Sequence, residues 1–100
     1  MRVVYFRDDT FSLEYVIDKD KNYCMHCDVF DWKLSTLKKI YREFASFLSM
    51  SEGKLVYTIS PNPRFVKMFG GETISIFNKN GKEYEVIIWE WTPSQSQQLR

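Results

Sequence analysis

One hundred residues, 44% of them hydrophobic and 17% aromatic, are enough for one domain with a real core. A formal net charge of +1 excludes the broad basic field that drives non-specific nucleic-acid binding. No apolar run approaches the length that spans a bilayer, which argues against a membrane partner.

The N-terminal run Met1–Phe6 meets charge too soon to read as a signal peptide. The chain is therefore expected in a cytoplasm, with Cys24 and Cys27 as reduced thiols. Arg2–Arg7 and Phe11–Ile17 read as two strands. Phe11, Leu13, Tyr15 and Ile17 carry the two-residue alternation of a half-buried strand. Asp8-Asp9-Thr10 and Asp18–Asn22 have turn chemistry, because short polar side chains can bond their own backbone. Tyr23–Phe30 completes an antiparallel meander.

The chain then feeds into a long amphipathic helix, Trp32–Met50. Leu34, Leu37, Ile40, Phe44, Phe47 and Leu48 recur at three- and four-residue steps, one face of a helix. Lys38, Lys39 and Arg42 fall mostly elsewhere and read as a solvated face rather than a nucleic-acid site. Asp31 is the expected N-cap, and Ser51-Glu52-Gly53 the stop. Lys54–Ser60 is a buried strand. Asn62 then caps a short helix with Pro63 in its first turn, and Gly70-Gly71 ends it. Glu72–Asn78 and Tyr84–Trp91 are strands joined at Lys79-Asn80-Gly81, a strong hairpin signal.

The predicted order is β-β-β-α-β-α-β-β, with one long and one short helix. It specifies an α+β domain with a mixed, mostly antiparallel sheet, in which the strand–helix–strand unit from Tyr23 to Ser60 pairs in parallel by a right-handed crossover. Residues 1–93 read as a single domain and 94–100 as a flexible tail.

Cys24-Met25-His26-Cys27 has C-x-x-C spacing, but a redox pair needs its first cysteine at a helix N-terminus. Neither a second Cys nor a second His cluster exists to complete a zinc site, so no metal is expected. Cys24, His26 and Asp28 share one strand face. Trp32, Trp89 and Trp91 offer aromatic surface for a protein partner or a second copy of the chain.

The element order resembles the GNAT acetyltransferase family. So do the strand-into-helix unit Cys24–Met50, the Ser60–Gly71 stretch with its glycine-ended helix, and the closing hairpin Glu72–Trp91. The resemblance implies a GNAT-like fold over most of the chain. In that family a Gly-rich turn, patterned Gln/Arg-x-x-Gly-x-Gly/Ala, holds the acetyl-CoA pyrophosphate on backbone amides. The corresponding junction here is Val29–Thr36, which has no glycine and carries Asp31 and Trp32. The family's N-terminal strand and helix pair is also missing. A non-catalytic protein acting by protein–protein interaction is therefore expected, with no cofactor. The sequence is also similar to GNAT-like proteins of tailed bacteriophages, including an internal virion protein. That implies a phage-encoded virion component or an inhibitor of a host process, located in host cytoplasm or virion. The alternative is an atypical acyl-CoA-dependent N-acetyltransferase. The resemblance would then make His26 its base and Tyr84 its acid toward the leaving thiolate, with Tyr57 a second candidate acid. Lys33, Leu34 and Ser35 would replace the Gly-rich turn, and Asn62, with Arg64 nearby, would approach the CoA arm.

Overall fold

The computed structural model describes residues 2–51 and 54–90. Six strands and two helices follow the predicted order: β1 Arg2–Arg7, β2 Phe11–Ile17, β3 Tyr23–Val29, α1 Leu34–Met50, β4 Leu55–Ser60, α2 Pro63–Lys67, β5 Glu72–Lys79 and β6 Lys82–Glu90. They form one mixed sheet in the order β1-β2-β3-β4-β6-β5. Only β3 and β4 run parallel, joined across α1; every other neighbouring pair is antiparallel. The fold is therefore α+β, as the periodicities require. Gly53, Trp91 and the tail 94–100 lie outside the described residues.

Carboxylates build the two turns of the meander. Asp8 Oδ1 accepts from the amides of Thr10 and Phe11, at 2.8 and 3.2 Å. Asp18 Oδ1 accepts from the amides of Asp20 and Asn22, at 2.9 and 3.0 Å. At the hairpin tip, Asn80 and Gly81 have φ of 55° and 76°, the paired positive values that a two-residue primed turn requires.

The alternation of the strands places Phe11, Leu13, Met25, Val56, Ile87 and Trp89 on one face of the sheet. Ile40, Phe44 and Phe47 of α1 complete the buried core, and Phe65, Val66 and Phe69 pack on it from α2 and the turn after it. Both helices thus lie on the same face. Phe47 is the hub, meeting the rings of Tyr5, Tyr15 and Tyr23 at centroid distances of 5.2, 5.1 and 5.5 Å.

The start of α1 differs from the sequence expectation, while α2 starts as expected with Asn62 in the cap position and Pro63 next. α1 begins at Leu34, with Lys33 rather than Asp31 in the cap position and no side-chain cap bond. The amides of Phe30 and Asp31 both donate to the Thr10 carbonyl, at 2.8 and 3.2 Å, which tethers the chain to the β1–β2 turn and delays the helix. The Asp31 carboxylate pairs with Lys33 Nζ at 3.0 Å instead of capping. Asn62 also stands in a cap position without a side-chain bond; its amide donates to Ser60 Oγ at 2.9 Å.

Lys39 of α1 donates to the carboxylate of Asp8 and, at 3.1 Å, to Thr10 Oγ1. Lys39 and Thr10 hold the Asp8 carboxyl far below the ordinary carboxylate range. A carboxyl depressed in the folded state stabilises the fold above its unfolded value. That contribution is lost as pH falls through about 4 and below. Asp8→Asn should therefore lower stability at pH 7 and flatten the acid limb between about pH 4 and 2, read by urea midpoints across pH.

Gly71 explains the glycine pair after α2. Gly70 takes a φ of 88°, which favours glycine. At Gly71 the limit is space: a Cβ would lie 2.7 Å from Trp89 Cε2 and overlap the Ile87 side chain. Gly71→Ala should cost about 1–3 kcal/mol by overpacking, measured as a lowered denaturation midpoint.

Candidate functional site

The parallel ladder between β3 and β4 is short. Only Tyr23–Val56 and Cys24–Tyr57 are paired, although β3 runs on to Val29 and β4 to Ser60. Beyond these pairs, Thr58 Oγ1 donates to the Met25 carbonyl at 2.8 Å and takes the place of the next ladder bond. Pro61 and Pro63 have no N–H to offer, so β4 cannot continue the ladder after Ser60. The strands part at their C-terminal ends.

A cleft of about 390 Å³ opens there, within the size range of small-ligand sites. Aromatic rings form one wall. Trp32 meets Phe65 edge-to-face at 5.1 Å, Phe65 meets Phe69 at 5.3 Å, and Phe44 meets Trp89 at 4.8 Å. Met25, Cys27 and Val29 contribute the β3 side, while Thr58, Ser60 and Asn62 contribute the opposite side. His26, Asp28 and Ile59, whose side chains alternate to the helix-free face, are also among its lining residues. Among the described lining residues there is no Lys or Arg, and Asp28 is the one carboxylate.

The direction of the backbone matters as much as the side chains. Met25 turns its carbonyl toward β4, since Thr58 reaches it. Phe30 turns its amide the other way, toward Thr10. Strand alternation then aims the backbone groups of Cys27 and Val29 into the gap, where β4 no longer pairs with them.

His26, Asn62 and Trp32 all line this cleft. Lys33, Leu34 and Ser35 form the start of α1, beyond the lining itself. Tyr84 is not brought to His26; it lies on β6 with its ring stacked on Phe77 at 5.6 Å. Tyr57 is held by Asp18, to which its hydroxyl donates at 3.0 Å, and burial followed by that bond pushes its pKa up to about 12. Trp89 is only 8% exposed, and its Nε1 donates to the Phe69 carbonyl at 3.0 Å. It belongs to the core and the cleft floor, so the expected three-tryptophan partner surface reduces to Trp32, 61% exposed, among the described residues. Thr58, Phe65 and Phe69 join the site only through the fold. Thr58 carries no signal, because its role arises only where two strands separate.

Comparison with protein-family models, with curated proteins and with solved structures finds no match to this chain. Among the described residues no His, Cys, Asp and Glu group could hold a metal ion, and no helix is long and apolar enough to cross a membrane.

Burial, with Asp28 beside it, pushes the Cys27 thiol up to about 12, and burial raises Cys24 as well. A thiol so raised has almost no thiolate at neutral pH and is a poor nucleophile. Iodoacetamide at pH 8 should alkylate Cys27 at least about 100-fold more slowly in the folded protein than in urea, followed by peptide mass spectrometry.

Proposed function

We propose that the chain is a small GNAT-like domain that acts by binding a protein partner through the β3–β4 cleft, and does not transfer acetyl groups. The observation that carries this reading is the chemistry of the cleft. It offers an apolar wall and an unpaired strand edge, the two surfaces that an extended protein segment meets. The start of α1 points the same way. Asp31 sits two residues before the cap position, where a carboxylate opposes an incoming phosphate, and Trp32 projects at the mouth. Resemblance to phage GNAT-like proteins makes a virion component or an inhibitor of a host process the concrete form of this reading.

One observation favours the acyl-CoA alternative. The first-turn amides of α1 receive no side-chain cap, and His26 and Asn62 stand in the nearby cleft. Titration with acetyl-CoA decides between the two. Calorimetry to millimolar concentration should give no binding heat and no thermal stabilisation. Micromolar binding would overturn the interaction reading and make His26 the first residue to replace.

A further inference from the structure

The strands that part around the cleft leave a gap bounded by β-backbone, and this limits what can fill it well. On the β3 side the backbone groups of Cys27 and Val29 face the gap with no strand opposite. Unpaired strand groups favour a hydrogen-bonded partner, and an extended peptide presents such groups at the matching two-residue spacing. A compact apolar ligand would fill the volume but leave those groups without partners.

The two faces of the sheet then set the side chains. A strand laid in the gap sends alternate residues to opposite faces. Toward the helices it meets Ile40, Phe44, Phe69 and Trp89, an apolar floor walled by aromatic edges. Toward the other face it meets His26, Ile59 and Asp28. Asp28 is exposed and takes part in none of the ion pairs found among the described residues. With no Lys or Arg among the described lining residues, it is the charge that a ligand would answer.

We propose that the cleft receives an extended segment of a protein partner by strand addition, with apolar side chains toward the helices and a basic side chain on the other face at Asp28. This rests on the interaction reading above and adds the recognition rule. β3 and β4 run parallel to each other, so a segment lies parallel to both or antiparallel to both, with its hydrogen bonds mainly on β3 because Pro61 ends the β4 edge. Shape selects the alternation, and Asp28 selects the sign of charge.

The test uses blocked hexapeptides of alternating leucine with lysine, serine or glutamate, titrated against the full chain by Trp fluorescence. Affinity should fall in the order lysine, serine, glutamate, with about tenfold between the first and last. Asp28→Asn should remove most of the lysine preference while leaving the leucine–serine peptide unchanged. N-methylation of alternate peptide amides should weaken binding by about tenfold or more through lost strand hydrogen bonds. The amide protons of Cys27 and Val29 should gain exchange protection when the leucine–lysine peptide is bound. Equal binding of all three peptides, equal binding after N-methylation, or no peptide binding at all would overturn the proposal. Those results are separate from the acetyl-CoA titration: a chain that binds neither ligand loses the strand-addition rule but not the non-catalytic reading, whereas acetyl-CoA binding removes the interaction reading itself.

Discussion

Two residue pairs hold the middle of this sheet together, and the consequences of that short parallel ladder run through the whole molecule. The crossover through α1 brings β3 and β4 side by side, and the antiparallel partners on their outer edges fix where each strand lies. A full ladder would close the sheet. The Pro61 and Pro63 pair removes two donors where β4 ends, and Thr58 Oγ1 satisfies the carbonyl at the point of separation. The result is a sheet that is continuous at one end and open at the other, with its core aromatics reaching into the opening.

The open end keeps its shape because the elements around it are tied elsewhere. Asp8 organises the β1–β2 turn, Lys39 clamps that turn to α1, and the Thr10 carbonyl in the same turn holds Phe30 and Asp31. Trp89, bonded to the Phe69 carbonyl and packed on Gly71, locks α2 to β6. Each wall of the cleft is therefore fixed by interactions that lie behind it, which leaves the cleft's own polar groups available. That arrangement differs from a flexible pocket, where ordering the walls would subtract from binding.

The fold was legible because each element has a strong local cause. The helical spacing of Ile40, Phe44 and Phe47, the alternation of Phe11, Leu13 and Tyr15, and Asn80-Gly81 at the hairpin all act over a few residues. The displaced α1 cap is tertiary in origin. Asp31 has the right chemistry for an N-cap, but a carbonyl from a turn twenty-one residues earlier captures its amide, and no local pattern encodes that capture. The candidate site was less legible for the same reason. His26, Asn62 and Trp32 could be named from the sequence, yet their common cleft exists only because two strands paired in space fail to stay paired. The tryptophans illustrate the point: Trp32 and Trp89 look alike in sequence, but one sits on a tethered turn and the other on a central strand over a glycine.

The tether that delays α1 also shapes the mouth of the site. Had Asp31 capped the helix, Trp32 would occupy its first turn. With Phe30 and Asp31 bound to Thr10, the chain between β3 and α1 instead crosses the end of the sheet in an extended turn. Trp32 then meets Phe65 of α2 edge-to-face, joining the two helix starts across the opening. The Asp8–Lys39 clamp acts on the same turn, so the strongly depressed Asp8 carboxylate lies outside the cleft lining. Charge is used to hold the frame, while the cleft keeps backbone edge, aromatic wall and the single carboxylate of Asp28. A site built this way recognises its ligand mainly by backbone and shape, and uses electrostatics only to select the sign of the charge beside it.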